Sequence, residues 1–230
     1  MSPILAEKRE RKAREEGNLP PSPPPEEPPG GDGGDGSQEP HSPAAGGFPL
    51  GNAQLAMVVF IAAELMFFAG LIGAFLVFRF SGKPWPPPFQ PRLPVGVTAV
   101  NTLFLLASSY TMARAQGALR GGDTARLARF LTLTGALGTL FLAVQGYEWV
   151  RLLSFGLTAS SGVYGSTFYT IIGTHGFHVL CGVTWLIVVL VRARMGRYSA
   201  AHRTGVIICG MYWHLVVGLW PVLFFLVYLL

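Results

Sequence analysis

From about residue 53 to the end, the chain is a succession of long apolar runs separated by short polar breaks. Five runs stand out, at about residues 53–78, 93–113, 130–149, 167–191 and 204–230. Each reaches or approaches the ~20 residues that, at ~1.5 Å per residue, cross ~30 Å of hydrocarbon. The first is interrupted only by Glu64 and ends at Arg79 and the breaker segment GKPWPPPFQPRLP. The pattern predicts an all-α protein: a polytopic membrane bundle of five transmembrane helices in a domain covering residues 49–230.

Ahead of it lies a polar tail, residues 1–48. EKRERKAREEG, from Glu7, has the spacing of a short surface helix with i,i+4 ion pairs (Glu7 with Arg11, Glu10 with Arg14). The Pro- and Gly-rich stretch from Pro20 to Gly36 has no periodicity and nothing with which to build a core, so the tail is expected to be disordered. It lacks the apolar segment and small-residue cleavage site of a secretory signal.

Charge refines this picture through its distribution. Nine of the twelve acids lie in the first 39 residues, so the net charge of +5 arises from cations in the loops. That is the bias of a membrane protein's cytoplasmic loops and excludes a nucleic-acid partner. The tail and the second and fourth loops carry 13 Lys and Arg, against 4 in the first and third loops. The amino terminus is therefore expected in the cytoplasm and the carboxyl terminus outside. The two cysteines, Cys181 and Cys209, lie within spans and have the isolation of buried structural residues.

Polar side chains inside the spans come next, because lipid cannot hydrogen-bond them. Glu64 lies roughly 16 Å into an outward-going helix, and His175 and His178 roughly 12–17 Å into an inward-going one, so the three share one depth. A lone carboxylate there is costly, and Glu64 is expected to be protonated or hydrogen-bonded, one histidine being a candidate partner. Gln145 and Glu148, in QGYEW near the outer end of the third span, form a second polar group whose partner the spacing does not name. His214 lies in MYWHLVVGLW of the last span. Imidazoles at i,i+3 cannot both ligate one iron, and no second matched pair exists, so a haem-binding membrane cytochrome is the weaker alternative. No catalytic constellation and no metal-ligand cluster is legible, so neither catalytic nor metal residues are expected. No internal repeat supports a transporter. The glycines Gly70, Gly73, Gly135, Gly138, Gly176 and Gly182 are expected to allow close helix packing.

These segments together resemble subunit III of the haem-copper respiratory oxidases, over about residues 52–230. The resemblance rests on FIAAELMFFAGLIGAF with Glu64, NTLFLLASSYTM from Asn101, QGYEW with Gln145 and Glu148, GVYGSTFYTIIGTHGFHVLCG with His175, Gly176 and His178, and YWHLVVGLW with Trp213, His214 and Trp220. It is closest to the five-helix bacterial form. The resemblance implies a non-redox accessory subunit packed on a catalytic subunit I that holds the haems and copper. It further implies phospholipid bound among the helices, with support of proton uptake and protection during turnover. Glu64 matches the family's carbodiimide-reactive carboxyl. Trp213, Trp220 and Gly176 fall at lipid or packing positions. The implied location is a bacterial inner membrane, and the implied partners are the other oxidase subunits and lipid. VYGST and the Gln145 motif lean toward the cytochrome c branch. A quinol oxidase subunit, or an accessory subunit of a nitric oxide reductase or other respiratory supercomplex, is the alternative. Ile207 and Val217 stand where the family usually carries acids, and Arg203 where a second histidine is common.

Overall fold

The computed structural model describes residues 51–82, 85, 93–199 and 202–230; the polar tail, 1–48, lies outside the described residues. Five helices account for nearly all of them: α1 (Asn52–Arg79), α2 (Val95–Arg120), α3 (Thr124–Ser154), α4 (Val163–Arg194) and α5 (Thr204–Phe224). A single π-helical turn, Phe225–Leu229, continues α5. All five helices are long and apolar enough to cross a membrane. Four of them form a ring in which α3 packs between α2 and α4, and α5 closes onto both α4 and α2. Helix α1 lies against the outside, seated chiefly on α5 and α4. It buries only Met57, Phe68 and Phe75 of its 28 residues.

The helices outrun the apolar spans, most visibly where α2 meets α3. Instead of a loop from about 114 to 129, the connection is Gly121, Gly122 and Asp123. The residues MARAQGALR and TARLARF are mostly Ala, Leu, Arg and Gln, strong helix formers that extend each helix beyond the hydrocarbon. Hydropathy sees only the part in contact with lipid, so Arg114, Arg120, Arg126 and Arg129 belong to helix ends rather than to a loop. Gly122, at φ +75°, closes α2: its N–H donates to the Leu119 carbonyl at 3.1 Å, and that of Asp123 to the Ala118 carbonyl at 3.0 Å. Asp123 then opens α3 by accepting from the Arg126 backbone N–H at 2.8 Å. Asp123→Ala should cost about 1 kcal/mol, measurable as a lowered unfolding midpoint of the detergent-solubilised protein.

The centre of the ring is aromatic. Trp213 projects from α5 across the middle, fully buried, and donates its indole N–H to Ser108 Oγ of α2 at 3.1 Å. Its ring occupies a slot with Gly138 of α3 on one side and Gly182 of α4 on the other. A Cβ on Gly138 would lie 2.5 Å from the indole, and one on Gly182 would lie 2.9 Å from it. Two turns on, Trp220 repeats the arrangement: it donates to Thr102 Oγ1 of α2 at 2.8 Å, meets Phe141 of α3 edge-on at 4.9 Å, and stacks on His175 of α4. A third layer is set by Tyr228, whose hydroxyl accepts from Gln145 Nε2 at 3.1 Å. Lipid tails are as apolar as leucine, so helices in a membrane associate through close packing and hydrogen bonds. Each layer supplies both.

Not every small residue takes part. Of the six glycines expected at close contacts, Gly138, Gly176 and Gly182 meet aromatic rings, whereas a Cβ on Gly70, Gly73 or Gly135 would touch nothing within 4 Å. Gly70 and Gly73 are exposed and Gly135 is half-buried beside open space, a difference that composition alone does not show.

Candidate functional site: polar groups between the helices

Glu64 sits on the face of α1 that meets α4, and its Oε2 lies 3.0 Å from His178 Nε2. Both side chains are largely buried. The other ring nitrogen of His178, Nδ1, lies 2.8 Å from the Thr174 carbonyl one turn back. A carbonyl only accepts, so Nδ1 carries a hydrogen, and the bond to Glu64 requires one further proton on either the carboxyl or Nε2. The pair is electrically neutral in both arrangements. This is how a carboxyl and an imidazole coexist at membrane depth without an isolated charge. Phe68 meets the imidazole edge-on at 5.2 Å, and Tyr212 of α5 donates its hydroxyl to the His178 carbonyl at 3.0 Å. One junction therefore holds α1, α4 and α5.

His175, three residues earlier, turns to different neighbours. It is fully buried inside the ring, its plane 27° from that of Trp220 at a centroid distance of 4.9 Å, with Phe141 edge-on at 6.4 Å. Residues three apart on a helix differ by about 60° in direction. That is enough to send one imidazole to α1 and the other into the core.

Neither ring nitrogen of His175 has a hydrogen-bond partner among the described residues, whereas His214, Gln145 and Glu148 are each bonded to a side chain. His214 Nδ1 of α5 lies 2.6 Å from Ser109 Oγ of α2. Gln145 reaches Tyr228, as described. Glu148 is buried and meets Arg151 Nη1 at 3.3 Å on its own helix. The i,i+3 spacing makes Arg151 the nearest cation. Trp149 turns inward, so that a Cβ on Gly176 would lie 3.1 Å from its ring. Val217, at one of the positions where the family usually has an acid, is buried in the apolar core. Among the described residues, no three side chains of His, Cys, Asp or Glu come together as metal ligands.

Hydropathy had no means of naming the partners on α2. Thr98, Asn101, Thr102, Ser108 and Thr111 are all buried, and Asn101 Nδ2 donates to the Phe141 carbonyl at 3.1 Å. A signal was nevertheless present. With Leu105 and Met112, these residues recur at the three- and four-residue spacing of one helix face. A polar stripe on an otherwise apolar span marks the side that faces protein.

Fold and site together define a polytopic helical membrane protein whose buried polar groups join one helix to the next. Residues 48–230 match the family model described as cytochrome c oxidase subunit III. Over 175 residues the chain is 41% identical to cytochrome c oxidase subunit 3 of Synechocystis sp., covering 76% of this chain and 74% of that protein. It is 38% identical to the probable cytochrome c oxidase subunit 3 of Mycobacterium leprae over 172 residues, 74% of this chain and 84% of that one. Against cytochrome c oxidase subunit 3 of the platypus, Ornithorhynchus anatinus, identity is 36% over 178 residues, 75% and 67% of the two chains. The chain belongs to the cytochrome c oxidase subunit III family.

Proposed function

We propose that the chain is the non-redox third subunit of a cytochrome c-type haem-copper terminal oxidase. It packs on the subunit that carries the haems and copper, binds phospholipid among its helices, and supports proton uptake and stability during turnover. The observation that carries this reading is the family match, which runs through all five helices. The geometry agrees with it, because three pairs of intramembrane polar groups hold helices together: Glu64 with His178, His214 with Ser109, and Gln145 with Tyr228. The 13 to 4 distribution of Lys and Arg supports an orientation with the amino terminus and residues 1–48 in the cytoplasm and the carboxyl terminus outside, and the resemblance to the five-helix bacterial form supports a bacterial inner-membrane location.

The test is purification through an affinity tag on this chain in mild detergent. A haem- and copper-bearing partner that oxidises cytochrome c is expected to co-purify, while the chain expressed alone shows no Soret band. A strain lacking the chain should retain the haem spectrum of the oxidase but lose activity faster during sustained turnover. Recovery of a nitric oxide reductase, or of an oxidase that accepts only quinol, would overturn the reading.

A further inference from the structure

The end of the bundle where α2 turns into α3 holds a pocket of about 410 Å³, lined by Arg114 and Gly117 from α2, and by Asp123, Arg126 and Phe130 from the turn and α3. Its two arginines come from different helices and are held differently. The Arg114 guanidinium lies over the rings of Phe130, at 5.4 Å, and Tyr110, at 5.7 Å, and donates to the Tyr110 hydroxyl at 2.8 Å. One N–H is thereby engaged, and the planar fork is fixed against two aromatic faces with its other donors uncommitted. Arg126 meets Asp123 through Nε at 3.1 Å, which leaves both of its Nη groups without a partner among the described residues. Asp123 is the one acid among the described residues at this end, and it is already taken up by Arg126 and by the helix cap. Gly117 keeps the floor open: a Cβ there would meet nothing within 4 Å.

We infer that this pocket binds the phosphate of an anionic phospholipid in the leaflet that this end of the bundle faces. Two guanidinium groups with free donors match the oxygens of a phosphodiester. Asp123 neutralises only one of the two arginines, so the pocket keeps a net positive charge, which favours a lipid with net negative charge. The apolar part of the ligand also has a surface to lie on. Tyr110 is at helical spacing from Arg114, and Leu133 from Arg126, so the pocket continues into exposed apolar side chains on the same two helix faces. A soluble phosphate would gain nothing from that surface. The inference does not depend on the oxidase reading, since it rests on this chain's own α2–α3 corner.

The test uses the full chain reconstituted in phosphatidylcholine nanodiscs containing a minor fraction of phosphatidylglycerol, with retained lipid counted by native mass spectrometry after release into detergent. Wild type should retain phosphatidylglycerol in preference to phosphatidylcholine. The Arg114→Gln/Arg126→Gln variant should lose about tenfold in that retention. Arg114→Lys/Arg126→Lys should keep only part of it, because the charge remains but the planar fork does not, and Arg192→Gln/Arg197→Gln should behave as wild type. Equal retention of the two lipids by wild type, or unchanged phosphatidylglycerol in the glutamine variant, would overturn the assignment. Displacement of the lipid by excess inorganic phosphate would also overturn it, showing a site for soluble anions.

Discussion

Gly182→Leu should leave little correctly folded protein in the membrane. Even a Cβ at this position would lie 2.9 Å from Cε3 of Trp213, 3.0 Å from Cζ3, and 3.3 Å from Cε1 of Tyr212. These are atoms of rigid, buried rings, and Trp213 is further fixed by its bond to Ser108 and by the close approach of Gly138. Overpacking a well-filled core costs about 1–3 kcal/mol and sometimes more, and a whole leucine between α4 and α5 belongs at the upper end of that range. The midpoint of unfolding in a mild detergent titrated with a denaturing one is the measurement. Gly70→Leu is the control, because an added Cβ there meets open space, and its effect should stay within about 0.5 kcal/mol. Adding Trp213→Ala to Gly182→Leu should recover part of the loss, since the leucine would then occupy space left by the indole. Strict additivity of the two substitutions would show that the slot does not couple them.

His178→Ala should release α1. The substitution leaves the Glu64 carboxyl at membrane depth without its 3.0 Å partner and removes the ring that Phe68 meets. Breaking a buried pair by deleting one member typically costs about 3–5 kcal/mol. The partial exposure of this pair and the absence of a water-to-lipid transfer term place the expected value near 2–3 kcal/mol. The carboxyl stretching band of Glu64, identified by its disappearance in Glu64→Gln, should shift in His178→Ala because a hydrogen bond to the carboxyl has gone. An unchanged band would mean that the two groups are not bonded in the membrane. His175→Ala gives the contrast: it opens a hole beside Trp220 and should destabilise the ring while leaving the Glu64 band in place.

What the sequence made legible was mostly axial. Counting apolar residues locates five spans, and counting 1.5 Å per residue places Glu64 level with His175 and His178. Neither count reports direction around a helix axis, and that direction decides that His178 faces α1 while His175 stacks on Trp220. The partners of the tryptophans were hidden for a related reason. Thr102 and Ser108 are common small polar residues, ordinary in any membrane helix, until the neighbouring helix brings an indole N–H to them. Helix ends were misjudged where helix-forming Ala and Arg replace apolar residues, as at Met112–Arg120, because hydrophobicity stops at the lipid boundary and helix propensity does not. Gly70 and Gly138 are indistinguishable by type. Only packing shows that one is open and the other admits Trp213.

The peripheral position of α1 has a consequence for biogenesis. Helix α1 precedes in the chain both of the helices, α4 and α5, that make its seat, so it is synthesised before that seat exists. With only three buried side chains it has little packing to hold it before then. Until α4 arrives, Glu64 resides in the bilayer without His178. The acid that ends as a fastening in the finished protein therefore begins as a waiting one, and the seating of α1 cannot precede the arrival of α4.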